Sequence, residues 1–409
     1  MKHLVGGISS AGRALPAVDG VPFLTARSSG AHVWDEHGRR YIDTALGFGA
    51  TLLGHAHPQV VEAVKRALAD GPMPAFAHAG EERAAELLTA ATGSLSQAIF
   101  TNTGSEAVHL ACRLARAATG RGLIAKMAAG FDGWYDDVAF GNAGSAEAEM
   151  RANRRPRSAR TLLLRFNDFD DVERLFAEND DVAAVIMEPM LANAGCILPA
   201  PGYLKHVETV ARRNGALVIL DEVLMGFRTG FGLAGQAMGI DADLATVGKA
   251  IGSGIAVAGV VGTLEVMALC ESGEVARAGT YSGNPVATAA VCATLGLLAT
   301  HDYDVFVARG ERLRGEIEHA FAVNGISAVT SGYGSVFTVW FSDAPPKDYR
   351  EAAAKVDEGR SRAMHEGLRR EGLLAMPSPY GRLYLSAAHD DAVIAEMAEI
   401  FARVALSMR

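Results

Sequence analysis

The stretch Ala216-Leu217-Val218-Ile219-Leu220-Asp221-Glu222-Val223 reads as a short apolar strand that ends in two carboxylates. An apolar run without alternation suits a strand buried on both faces. Four other runs share that character: Leu123–Met127, Thr161–Phe166, Val182–Met187 and Ala256–Gly262. Helix-period segments lie between them, among them Ala107–Ala118 and Leu204–Arg213. This alternation predicts an α/β fold, with a mostly parallel sheet covered by helices on both faces. Ligands of such sheets collect beyond the carboxyl ends of the strands. Asp221 stands at that edge.

The two ends of the chain read differently. Residues 1–55 carry short alternating segments, Ala31–Trp34 and Arg40–Asp43, of the kind found in a small antiparallel sheet. From about residue 303 a long helix pattern leads to Ser335–Phe341, a helix over Arg350–Glu371, and Leu383–Ser386. The expected organisation is a large ligand-binding domain over 56–302 and a smaller α+β domain over 303–409. Residues 1–55 contribute to that smaller domain and to the active site. The arginine-rich stretch Arg151–Arg160 reads as a mobile loop.

The chain has 409 residues, a net charge of −9 and no basic run beyond that stretch, which argues against a nucleic-acid partner. No apolar run is long enough to span a membrane, and the N-terminus lacks the pattern of a signal peptide. Cys112, Cys196, Cys270 and Cys292 are scattered without metal or redox spacing, so a cytoplasmic protein with structural thiols and no metal is expected.

A carboxylate at the end of a buried strand is costly unless a positive group faces it. For Asp221 that group is either a helix terminus or salt-bridge partner, or the protonated ring nitrogen of pyridoxal phosphate. An aspartate in the latter place keeps the pyridine ring an electron sink. Twenty-eight residues on, Lys249 lies in the apolar, glycine-flanked run Leu244–Gly254. Desolvation lowers the pKa of such an amine and makes it a nucleophile toward an aldehyde. Thr103-Gly104-Ser105-Glu106 opens a helix and offers free amides to a phosphate, although Thr103 and Glu106 also have capping-box spacing. Thr280, within Gly279–Pro285, is a second hydroxyl for the same phosphate. Phe131, after the strand Leu123–Met127, either stacks on a cofactor ring or packs at the sheet edge.

Taken in order, Asn102–Glu106, Phe131-Asp132-Gly133, Glu188-Pro189, Asp221-Glu222-Val223, Lys249 and Gly279–Pro285 resemble the class III pyridoxal-phosphate aminotransferases. Within that class the chain is most similar to glutamate-1-semialdehyde 2,1-aminomutase and its aminotransferase relatives. The likeness runs from about Gly6 to the C-terminus, through Leu52–Pro58 and Ser386–His389. It implies the pyridoxal-phosphate transferase fold of type I, with a seven-stranded type of sheet, and a homodimer with sites at the subunit interface. It also implies roles: Lys249 as the Schiff-base lysine, Asp221 as the ring-nitrogen partner, and Val223 and Phe131 on the two ring faces. Gly104 and Ser105 would hold phosphate together with Thr280 from the partner subunit, and Asn193 would lie near the ring hydroxyl. Asp132 and Glu188 fall among the cofactor-side residues. Ser10 and Arg13 match a serine and an arginine that hold the substrate carboxylate.

Several positions depart from the pattern. Asp132 replaces a histidine and Phe48 a tryptophan, and the loop between Phe131 and Asn167 is a few residues shorter. In Pro377-Ser378-Pro379-Tyr380-Gly381-Arg382, glycine stands for the expected glutamate and Arg382 adds a positive charge beside it. Phe48, Tyr380 and Arg382 therefore join Ser10 and Arg13 as candidate substrate contacts, and a different or second acidic substrate suits these changes. The expected reaction is amino transfer between an amino acid bearing an α- or β-carboxylate and a 2-oxo acid. The alternatives are the aminomutase reaction, an epimerase or racemase on the same scaffold, and a binding protein without catalysis.

Overall fold

The computed structural model describes residues 3–145, 148 and 160–409. The stretch Arg151–Arg160 therefore lies outside the described residues except for Arg160. In chain order the strands are β1 (Thr25–Ser29), β2 (His32–Asp35), β3 (Arg40–Asp43), β4 (Gln97–Thr101), β5 (Leu123–Met127), β6 (Thr161–Leu164) and β7 (Val182–Met187). Then come β8 (Leu217–Glu222), β9 (Leu244–Val247), β10 (Ala258–Gly262), β11 (Val329–Tyr333), β12 (Val336–Trp340), β13 (Leu373–Leu374) and β14 (Leu383–Tyr384).

Seven strands form the central sheet in the order β4-β10-β9-β8-β7-β5-β6. The pairs from β9 through β6 are parallel, and β10 alone runs antiparallel to both its neighbours. Strands β4 and β9 thus point the same way, so β4, β5, β7, β8 and β9 end on one edge.

Successive strand residues face opposite sides, and both sides are apolar. Ile124, Ala184, Ile186, Ile219 and Leu244 share one core with Ala107, Leu110 and Leu114 of the helix Gly104–Thr119. Ala125, Val185, Val218, Leu220 and Ala245 share the other with Tyr203, Val207 and Val210 of the helix Tyr203–Arg213. That double burial explains the unbroken apolar runs.

The chain ends meet in a second sheet, β1-β2-β3-β13, in which β13 pairs in parallel with β3 through Leu373↔Ile42. A third sheet, β11-β12-β14, lies wholly in the C-terminal part. The single helix expected over Arg350–Glu371 is two, Tyr349–Lys355 and Glu358–Glu371. Val356 is extended and Asp357 caps the second helix by accepting from Arg360 N. Aspartate competes for backbone donors in this way and favours a cap over a helix interior. Among the described residues no helix is long and apolar enough to cross a membrane.

The helix Tyr303–Ala322 contains two glycines in opposite surroundings. A Cβ at Gly310 would overlap the carbonyl of Gly334, whereas one at Gly315 would meet nothing within 4 Å. Gly310→Ala should lose about 1–3 kcal/mol or more through overpacking against backbone. Gly315→Ala should gain about 0.5–1 kcal/mol through helix propensity. Denaturant unfolding of the two variants reads the opposite signs.

Candidate active site

Five loops leave the carboxyl edge of the sheet and enclose a cavity of about 330 Å³. It is lined by Thr103, Gly104 and Ser105 after β4, by Phe131 and Asp132 after β5, and by Glu188 and Asn193 after β7. Asp221 and Val223 come from the end of β8, and Lys249 from just beyond β9.

Asp221 and Thr246 are register partners on β8 and β9. Thr246 Oγ1 donates to Asp221 Oδ1 at 3.0 Å, and Val223 N donates to the same oxygen at 3.0 Å. Oδ2 is left for a positive partner on the cavity side. Burial, and then the charge of Asp132, push the Asp221 carboxyl up to about 7. A cation brought against it reverses that shift. The neighbouring Glu222 points to the other face, where it accepts from Ala234 N at 3.1 Å and Gly235 N at 2.6 Å. Alternation along one strand thus separates the carboxylate that faces the cavity from one used to hold a loop.

Lys249 begins a short turn, Lys249–Gly252, with φ +42, a conformation that costs a non-glycine residue energy and recurs at functional sites. Burial and the charge of Arg382 bring its amine down to about 8, against the opposing pull of Asp221 and Glu188. About a tenth of it is therefore neutral at pH 7, far more than for an ordinary lysine, as a nucleophile requires.

At the helix Gly104–Thr119 the capping box is real. Thr103 Oγ1 accepts from Glu106 N, and Glu106 accepts from Asn102 N and Thr103 N. The amides of Gly104 and Ser105 belong to the first turn, have no intrahelical acceptor and line the cavity. Capping and anion binding thus use different donors. A Cβ at Gly104 would sit 3.0 Å from Val223 Cγ1, and one at Gly133, where φ is +117, would sit 2.9 Å from Ser105 Oγ.

Two further basic groups carry no distinctive signal in the sequence. Lys126, in the middle of β5, is fully buried. Its ammonium donates to the carbonyls of Gly130, Val138 and Phe140 at 3.1–3.2 Å and stands 3.2 Å from Asp132. The loop that presents Phe131 and Asp132 is wrapped round this one cation. Arg228 is also fully buried, donating to the carbonyls of Leu224 and Gly49 with its guanidinium 5.3 Å from the Tyr384 ring centre. A lysine inside an apolar strand was the only available hint of the first. Arg228 offered none, because the Gly49 carbonyl it needs is 179 residues away.

Not every candidate reaches the cavity. Ser10, Arg13 and Thr280 are exposed and do not line it in their own chain. Gly12 packs instead against the Phe48 ring. Tyr380 lies against Trp340 and Tyr349. Arg382 does not line the cavity either but is held behind Asn193, which does: Nη1 donates to Asn193 Oδ1 at 2.6 Å and to Ala192 O at 3.3 Å, and Nε donates to Tyr384 Oη at 2.7 Å.

A family model described as aminotransferase class-III matches residues 15–398. The chain belongs to the class III aminotransferases. Glutamate-1-semialdehyde 2,1-aminomutase of Roseiflexus castenholzii is 38% identical over 96% of this chain and 92% of that protein. The like-named protein of Rhodopirellula baltica is 35% identical, over 96% and 90%. Among solved structures, an omega-transaminase from Sphaerobacter thermophilus superposes with a TM-score of 0.90 at 30% identity, covering 99% of this chain and 94% of that one. A β-phenylalanine aminotransferase from Variovorax paradoxus gives 0.87 at 29%, covering 98% and 90%. As a class III aminotransferase this chain is an enzyme of fold type I that uses pyridoxal phosphate. The residues present fit that cofactor, since they supply a half-buried lysine of lowered pKa, a buried carboxylate with one oxygen unused, and two free amides at a helix N-terminus.

The Lys126–Asp132 pair gives this class III site a testable electrostatic core. Lys126→Met leaves Asp132 buried without its counter-ion and should cost about 3–5 kcal/mol. Adding Asp132→Asn should recover most of that loss in denaturant unfolding. A single variant as stable as wild type would mean that Asp132 is already protonated in the fold.

Proposed function

We propose that this enzyme transfers an amino group between an amino acid bearing an α- or β-carboxylate and a 2-oxo acid. The observation that carries the reading is Arg382. Its hydrogen bonds go only to neutral groups, and among the described residues no carboxylate forms an ion pair with it. A guanidinium bonded to the cavity-lining Asn193 and without a counter-ion suits an anionic substrate, and its Nη2 is the unused arm. A second reading, the intramolecular aminomutase reaction, is favoured by the 38% identity to a protein of that name. An assay with no oxo-acid acceptor separates the two, because only the aminomutase turns over without one. Chiral analysis of product would expose a racemase or epimerase.

When bound, pyridoxal phosphate supplies an electron sink that stabilises negative charge on the carbon bearing the amine. Lys249 is the residue that would hold it and the base that would move the proton at that carbon. Asp221 Oδ2 would hold a proton on the ring nitrogen, and Thr246 keeps the carboxylate in place. Phe131 and Val223, which line the cavity, would cover the two faces of the ring and exclude water. The Gly104 and Ser105 amides hold the phosphate. Thr280, exposed on its own subunit, completes that cradle in a partner of a homodimer. Residues 56–302 form the cofactor-binding domain, and residues 1–55 with 303–409 form the part that closes over the substrate. Four unpaired cysteines accord with a cytoplasmic protein.

Lys249→Ala should keep phosphate-mediated cofactor binding but lose all cofactor fixed by borohydride and all turnover. Retention of borohydride-fixed cofactor would place the attachment elsewhere. Asp221→Asn should fold normally and lose about 100-fold or more in kcat, the scale of a lost proton-transfer function. For the substrate carboxylate, the rivals are Arg13 and Arg382. Replacement of the one that binds it should cost about 30- to 150-fold in kcat/KM for an amino acid, but little for its decarboxylated analogue. Equal losses on both substrates would make that arginine structural.

A further inference from the structure

Asn193 lines the cavity, and its amide has two unlike ends. Arg382 Nη1 lies 2.6 Å from its Oδ1. A guanidinium has donors and no acceptor, so the end that faces it is the carbonyl oxygen. The Nδ2 amino group is then the end left for the cavity, and it carries no hydrogen bond from the described residues. Arg382 is itself fixed at three points, on Asn193, Ala192 and Tyr384, so this orientation is built in before any ligand arrives.

That end is a pure donor. The phosphate arm and the phenolic oxygen of pyridoxal phosphate project on opposite sides of the carbon that Lys249 attacks. With the phosphate at Gly104 and Ser105, the phenolic oxygen faces the remaining polar wall. Asn193, which the resemblance to the aminomutase puts near the ring hydroxyl, is the neutral side-chain donor away from the phosphate loop, since Asn102, Thr103 and Ser105 belong to that loop and Asp132, Glu188 and Asp221 offer carboxylates. We propose that Arg382 is a positioning residue: it locks the Asn193 amide so that Nδ2, not Oδ1, meets the anionic phenolic oxygen of the cofactor. Without Arg382 the amide is free to turn its oxygen inward, where it would repel that anion. This role rests on the cofactor reading above and is separate from any contact between Arg382 and substrate.

A donor on the phenolic oxygen, with a cation nearby, disfavours the proton that this oxygen shares with the lysine nitrogen. The groups facing Lys249 are Asp221, Glu188, Arg228 and Arg382, and only the last is altered in the test. Losing the donor should therefore raise the pH at which the bound cofactor changes its visible absorbance. The experiment titrates that absorbance in the substrate-free holoenzyme for wild type, Arg382→Ala, Asn193→Ala and the double variant. Each single substitution should raise the midpoint by about one pH unit. The double variant should shift no further than the larger single, since both remove one interaction.

An unmoved midpoint in Arg382→Ala overturns the proposal. So do fully additive shifts, which would mean that the guanidinium acts only through space. A rise in KM confined to carboxylate substrates, with the midpoint unmoved, assigns Arg382 to the substrate alone and also overturns it. Absence of any visible band in the wild-type protein with pyridoxal phosphate overturns the cofactor reading, and this one with it.

Discussion

A carboxylate at the end of a doubly buried strand constrains everything built around it. Asp221 is 4% exposed, and its register partner on β9, Thr246, is neutral. Charge in that position is stable only with hydrogen bonds and a positive partner. Thr246 and Val223 N satisfy one oxygen, and the cavity side is where a cation has to come from. A cofactor with a basic ring nitrogen answers that requirement. The position of Lys249 across the cavity, the packing of Val223 against Gly104 and the opening of the helix at Gly104 all accord with a flat ring placed against this acid.

The same constraint spreads to the rest of the site. Burial raises the proton affinity of three carboxyls, Asp132, Glu188 and Asp221; the charge of Asp132 raises the other two further, and that of Asp221 adds to Glu188, which is pushed up to about 8. The site answers with cations placed at different distances. Lys126 neutralises Asp132 from behind and organises the loop that carries Phe131. Arg382 and Arg228 have no carboxylate ion-pair partner among the described residues and lower the pKa of Lys249. Each carboxyl thereby has its own electrostatic setting, which is how neighbouring acids come to hold different proton states.

Long-range pairing decides where these charges sit. The loop over Leu191–Ile197 carries Asn193 and docks on the C-terminal sheet through Ser331 Oγ, which donates to Cys196 O at 2.6 Å, and Trp340 Nε1, which donates to Gly195 O at 3.1 Å. Arg382 arrives just before β14 and meets Asn193 from 189 residues away. Arg382, next to Gly381, thus acts on the cavity through Asn193 and does not stand free on the protein surface.

Much of this was legible from the residues. Unbroken apolar runs identified β5, β7 and β8, and a helix after Thr103 followed from its cap, because burial on both faces and capping chemistry are local properties. Lys249 and Asp221 stood out for the same reason, as charged groups in apolar surroundings. Strand β4, with its half-exposed edge, was not read as a strand, and the break at Asp357 was not read at all. Lys126 as the centre of a loop, Arg228 buried against Gly49 and Tyr384, and the contact of Arg382 with Asn193 were equally out of reach. The amino-acid sequence by itself determined the layers of the fold and the chemical identity of the reacting groups, since periodicity and functional-group chemistry depend on near neighbours. Which charges share one low-dielectric space was decided only by the tertiary structure, because that depends on where distant segments of the chain come to rest.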